Sequence, residues 1–172
     1  MVVKLKLEQE EGVTGELSAL ERQVVDVFVD GVKVIGLPKS LGEIYGLLFL
    51  SPESLALDDV VKKLGLSKGS ASQGLRMLRE LGAVKEAEGN GGRRTLYTPD
   101  VDLKRLVGGF IREQVRPHLE SGKGKVSGLI KATASEEDRE LRKFYRARLQ
   151  KLDAWMGRGR IVLPLIQRML GE

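Results

Sequence analysis

Cysteine is absent from the 172-residue chain, which removes disulfides, thiolate metal sites, cysteine nucleophiles and thiol-based redox sensing together. Histidine occurs once, as His118 behind Pro117. It has no second imidazole or thiolate with which to share a metal ion, and no motif makes it the base of a nucleophilic serine. Apolar runs stop after a few residues, far short of the roughly 20 that would span a bilayer. The opening Met1 to Gly12 carries Lys4 and Lys6 and then Glu8, Glu10 and Glu11, without the apolar stretch of a signal peptide. A cytoplasmic chain with no membrane partner is therefore expected. Internal repeats and low-complexity tracts are missing too. The fragment from Gly65 to Ser70 lacks the G-x-x-x-x-G-K-S order and follows a helical pattern, so it is not a phosphate loop. Neither an enzyme nor a cofactor is expected.

What is present is 41% apolar residues, enough for one sizeable core with a helical module appended. The net charge of +5 is unevenly spread. Between Lys62 and Arg94 eight basic residues face Glu80, Glu86 and Glu88, while the remainder of the chain holds 21 charges of each sign. A basic stripe of this size is either a solvated face or the footprint of an anionic partner.

From Leu17 to Gly36 the pattern allows two readings. Leu17, Leu20, Val24, Val27 and Phe28 have helical spacing, whereas Val25, Val27 and Val29 before Asp30-Gly31 alternate like a two-residue hairpin. The unbroken Glu21-Arg22-Gln23 ahead of the valines favours the helix. Ser40 with Glu43 three residues on suggests a capping box for a helix ending at Ser51-Pro52. A short helix is expected from Leu57 to Leu64, with Asp58 and Asp59 at its positive end and Gly65 as its stop. Ser67 is placed to cap a second helix from Lys68 to Leu81, with Ala71, Leu75 and Leu78 on its inner stripe and Gly82 behind it. Two short helices joined by a tight glycine turn make a helix-turn-helix.

Behind it, Ala83 to Ala87 and Arg94 to Thr98 suggest strands enclosing Glu88-Gly89-Asn90-Gly91-Gly92, a hairpin that could reach a phosphate backbone as a wing. The expected fold is mainly α with a small β-hairpin wing. A groove-reading helix needs an outward face that is polar, small at its point of entry and free of carboxylates near its start. The helix opening at Lys68 meets that requirement with Gly69, Ser70, Gln73 and Arg76. Gln73 suits adenine, Arg76 suits guanine or a phosphate, and Lys68 with the Ser67 cap suits a phosphate at the helix N-terminus. Ser72 on the same helix and Asn90, Arg93 and Arg94 on the wing complete the candidate set for double-stranded DNA.

Toward the C-terminus Leu103 to Val115 has helical period, Pro117-His118-Leu119 suggests a breaker, and Glu120 to Lys125 a connection. A short helix is expected from Val126 to Ala132. Ser135 would cap a longer one carrying Leu141, Tyr145, Leu149, Leu152 and Met156 and ending at Gly157-Arg158-Gly159. Leu163 to Leu170 is too apolar for a free tail and is expected to dock.

The stretch from Leu37 to Thr98, running LPKSLGEIYGLLFLSPESLALDDVVKKLGLSKGSASQGLRMLRELGAVKEAEGNGGRR through most of its length, resembles the GbsR group of winged-helix regulators, related to the broader MarR class. The resemblance covers about a third of the chain. It implies a homodimer joined through its terminal helices, Leu66 to Leu81 as the recognition element and Glu88 to Arg94 as the wing. The organisation then expected is an arm (1–16), a winged helix-turn-helix domain (17–100), and a helical dimerisation and possible effector region (101–172), in a repressor acting on a pseudo-palindromic site. Some members of the group are thought to respond to a small quaternary ammonium molecule; Phe110, Phe144, Tyr145 and Trp155 could cage such a cation, although aromatics at helical spacing more often form core. The rival is a winged-helix module that binds protein and leaves the basic stripe solvated.

Overall fold

The computed structural model describes residues 17–88 and 94–169. Its first helix, α1 (Ala19–Val34), resolves the ambiguity in favour of helix. Ser18 Oγ accepts from the Glu21 N–H while the Glu21 carboxylate takes the Ser18 N–H at 2.7 Å, and this reciprocal cap starts the helix ahead of the valines. Val25, Val29 and Val32 then face inward at helical steps. Burial of one stripe thus outweighs the strand propensity of valine.

The second helix, α2 (Lys39–Leu50), corrects the Ser40 capping box. Pro38 occupies the N-cap without a side-chain hydrogen bond, Ser40 lies inside the first turn, and Glu43 pairs with Lys39 at 2.6 Å instead. The proline fixes the entry, so no hydroxyl is needed. Gly42 and Gly46 let α2 lie on α1: a Cβ at Gly42 would come within 2.6 Å of the Val29 Cα, and one at Gly46 within 2.8 Å of the Val25 Cα.

A strand the sequence did not announce, β1 (Leu55–Ala56), leads into α3 (Leu57–Leu64). Gly65 closes α3 in the left-handed conformation, at φ 65°, and α4 (Lys68–Glu80) follows under the Ser67 cap, one residue shorter than expected. Strands β2 (Val84–Glu88) and β3 (Thr95–Pro99) are antiparallel, and β1 pairs with β3 to give the order β1-β3-β2. Ile44, Leu47 and Leu48 of α2 pack with Val60 of α3, with Ala71, Leu75 and Leu78 of α4, and with Leu81, Ala83 and Val84. That core sets α4 on the body of the fold and leaves its other side to solvent.

The C-terminal part departs from expectation. α5 (Leu103–Phe110) runs through a π-helical segment (Ile111–Val115) into α6 (Arg116–Ala132), so Pro117 does not break the helix and Glu120 to Lys125 is no connection. The Arg116 N–H donates to the Ile111 carbonyl five residues back; this wide turn shifts the ladder, and Pro117 then stands in the first turn after it, where a donor is dispensable. A 3-10 turn (Thr133–Ser135) precedes α7 (Arg139–Met169). Ser135 donates to the Ala132 carbonyl rather than capping; Asp138 takes the N–H groups of Glu140 and Leu141 at 2.8 and 3.0 Å.

Gly157 and Gly159 stay inside α7, as does Pro164. Two helical glycines cost about 1 kcal/mol each, and packing against α6 outweighs them. Leu119 approaches to 3.3 Å of where a Gly159 Cβ would stand, and Met156 fits against Gly122. The expected docking is met over 163–169 by other means than apolar burial: Gln167 is buried and donates to the Gly108 carbonyl at 3.3 Å, while Leu165 and Met169 are exposed.

Candidate nucleic-acid interface

The turn between α3 and α4 is set by Gly65, and the two buried stripes that meet behind it decide what is left outside. On α4 Ala71, Gly74, Leu75 and Leu78 are buried. Ser67, Lys68, Gly69, Ser70, Ser72, Gln73 and Arg76 are all exposed. The face is hydroxyl-rich and holds no carboxylate until Glu80, in the last turn. Ser67 Oγ accepts from the Ser70 N–H at 3.1 Å and stands 2.9 Å from Ser70 Oγ, so the start of the helix is hydroxyl-lined. Gln73 and Ser70 border a small cleft of about 120 Å³ against Pro38, Ser40 and Leu41 at the start of α2. Gly74 forms the floor of this contact, since any Cβ there would collide with Ile44 Cδ1.

Arg94, at the foot of the wing, is exposed and reaches Asp59 of α3 at 3.7 Å. Asp59 also accepts the Ala56 N–H at 2.9 Å, so one carboxylate ties β1, α3 and the root of β3 together. Asn90 and Arg93 lie outside the described residues. On the far side of the sheet Asp100 gathers Lys85 at 3.1 Å and Arg105 at 2.9 Å. Its carboxyl sits below the usual carboxylate range because Lys85 and the Asp102 N–H hydrogen-bond it. Its backbone carbonyl accepts from the Tyr45 hydroxyl at 2.6 Å, and burial pushes that phenol up to about 12.

The charge pattern differs from what linear counting suggested. Lys63, Lys68, Arg76, Arg79, Lys85 and Arg94 each meet a carboxylate, and four of those partners, Glu21, Asp58, Asp100 and Asp59, lie outside the basic window. The stripe is basic in sequence and partly balanced in space. Most of the pairs are well exposed, hence weak. The missed residues of this region are therefore acidic. Asp58 and Asp59 were explained by the dipole of α3 alone, and nothing in their spacing announced Lys68 and Arg94 as partners.

The aromatic cage does not assemble. Phe110 packs against the core. Phe144 and Tyr145 border a cleft of about 700 Å³ with Glu136 and Glu137 near the 3-10 turn, where Arg148 already lies 5.1 Å above the Phe144 ring. Trp155 is exposed and is not among the residues lining that cleft.

A three-stranded antiparallel sheet behind two helices joined at Gly65, with α4 turned outward, decides the architecture. The fold is a winged helix-turn-helix. A solved transcriptional regulator superposes on this winged helix with a TM-score of 0.61 at 17% identity, over 88% of this chain and 95% of that one. In sequence the winged-helix chain is 28% identical over 98 residues to the HTH-type transcriptional repressor GbsR of Bacillus subtilis (strain 168), covering 55% of this chain and 54% of that protein. The chain thus spans about half the length of this curated relative. No family model matches it.

Proposed function

We propose that the chain is a sequence-specific double-stranded DNA-binding regulator, of the repressor kind, acting as a homodimer on a pseudo-palindromic site. The observation that carries this reading is the outward face of α4: three turns of small, polar or basic side chains, all exposed, over a stripe that is wholly buried. Gln73 and Arg76 are the base readers, each worth about 1–3 kcal/mol of discrimination, while Lys68, Arg93 and Arg94 contact phosphates. The similarity to a repressor supports the same reading.

The dimer is supported by α7. Leu141, Tyr145, Leu152, Trp155, Val162, Ile166 and Met169 fall on one 3-4 repeat that is 38–81% exposed. A seam of that kind is normally covered by a further helix. On α1, Leu20, Val27 and Val34 recur every seven residues beside Asp26 and Asp30, an acidic edge complementary to α7, where nine Lys and Arg face only Glu140 and Asp153. In a dimer the two recognition helices enter successive major grooves about 34 Å apart.

Fluorescence anisotropy with random and operator-selected duplexes tests the reading. Salt-sensitive binding to random DNA is expected, with Arg76→Ala weakening specific binding and relaxing one base position. The double change Arg93→Ala, Arg94→Ala is expected to weaken binding to every sequence and flatten the salt dependence. Absence of any salt-sensitive binding would favour a protein-interaction module instead. Leu152→Glu with Trp155→Glu should give a monomer by analytical ultracentrifugation.

A further inference from the structure

Midway along the α6–α7 pair, cations from both helices converge. Arg116 and Lys123 stand seven residues apart on α6, on one face and about 10 Å from each other along the axis. On α7, Arg158 and Arg160 both line the cleft that Lys123 borders, and Arg160 also reaches the one that Arg116 borders. Arg160 borders two adjoining clefts: a narrow one of about 80 Å³ with Arg116 and Glu120, and a broader one of about 520 Å³ with Lys123, Gly157 and Arg158. The glycines make room for this. Lys123 Nζ lies 3.6 Å from where a Gly157 Cβ would be, so the lysine crosses from α6 to α7 over a residue with no side chain.

Unlike most of the basic side chains around the recognition helix, none of these four cations is in an ion pair among the described residues. Among the described residues Glu120 is the one carboxylate lining the clefts, and it forms no ion pair with Arg116 or Arg160. Arg160 is common to both clefts, with Arg116 in the narrow one and Lys123 and Arg158 in the broader, and a row of unpaired like charges of this kind draws counter-charge. The broader cleft is open to solvent, and its volume falls within the size range of small-molecule sites.

From this geometry we propose that the clefts between α6 and α7 bind a small polyanion, a molecule with two or more phosphate or carboxylate groups, bridged by Arg116 and Lys123 on one wall and Arg158 and Arg160 on the other. The narrow cleft, at about 80 Å³, admits a single anionic group and not a duplex, which favours a small molecule. The proposal goes beyond the regulator reading and does not depend on it.

The test is calorimetric titration of the full chain with inorganic pyrophosphate and triphosphate, against sodium chloride at matched ionic strength, with thermal melts in parallel. Saturable binding near one per chain is expected, with a rise in Tm of about 8 °C at 100 times Kd. Arg158→Gln with Arg160→Gln should weaken it at least about tenfold, whereas Arg146→Gln with Lys151→Gln on the same helix should not change it. Should the first pair fail to fold in ligand-free melts, Lys123→Gln on the opposite wall must produce the same direction of loss. The proposal is overturned by absence of saturable heat, by equal loss in both pairs, or by Arg158→Gln with Arg160→Gln weakening duplex DNA while sparing pyrophosphate.

Discussion

Asp58 stands in the first turn of α3 with a carboxylate oxygen 3.4 Å from Lys68 Nζ, and both side chains are largely exposed, at 64% and 73%. If Lys68 meets a DNA phosphate, Asp58 both competes for that lysine and repels the phosphate. In water a unit pair at this separation amounts to about 1 kcal/mol, and exposed pairs measured by mutation give about 0.2–1 kcal/mol. Taking roughly 0.5 kcal/mol per copy, and two copies per dimer, Asp58→Asn should tighten binding by about 1 kcal/mol, or about fivefold. The slope of log affinity against log salt should steepen as well, because each lysine is then free to replace a counterion. The cost falls on stability, about 0.3–1 kcal/mol, since the helix N-terminus loses its carboxylate. Anisotropy at three salt concentrations reads all of this. Lys68→Ala should cancel the gain, and Glu137→Gln, a carboxylate beside the distant 3-10 turn, should leave affinity unchanged. A folded Asp58→Asn protein that binds DNA no better than the parent would falsify the placement of Lys68 against phosphate.

Gly74→Ala should destabilise the fold by about 1–3 kcal/mol in urea melts, despite the higher helix propensity of alanine, because the added methyl meets Ile44 Cδ1. Adding Ile44→Val, which deletes that atom, should recover part of the loss; additive effects would disprove the contact. Gly65→Ala forces φ near +65° on a residue with a Cβ and should cost about 1–2 kcal/mol by the same assay, loosening the α3–α4 turn. The Tyr45 phenol is raised from 10.0 to about 12, so folding retains a proton that the unfolded chain releases near pH 10. Its stabilising effect is complete below pH 10 and declines as pH rises toward 12. Tyr45→Phe should therefore be less stable at neutral pH, by about 1 kcal/mol for the lost bond to the Asp100 carbonyl, and should decline less steeply between pH 10 and 12.

The helix-turn-helix was legible because each of its parts has a local cause. A left-handed residue needs glycine at 65, the α4 start needs a hydroxyl at 67, and a buried stripe needs apolar residues at 71, 75 and 78. The α6–α7 region was not legible for the same reason inverted. Gly122, Gly157, Gly159 and Pro117 look like punctuation to any local rule, and only the facing helix, with Leu119, Met156 and Lys123 seated against glycines, turns them into packing residues. Strand β1 is two residues long and exists only through its pairing with β3, so no periodicity could reveal it. The exposed face of α4 was recovered residue by residue. Its electrostatic surroundings were not, because Asp58, Asp59, Glu21 and Asp100 reach the basic window through the fold.

Gly109 of α5 rests directly on the backbone of Leu81, the C-cap of α4, and no Cβ could fit between them. Two main chains in contact have no rotamers with which to absorb a displacement. A shift at the root of the C-terminal helices therefore arrives at α4 without slack, and a larger side chain at 109 would act as a permanent wedge, tilting that helix even in a protein whose outward α4 residues were untouched.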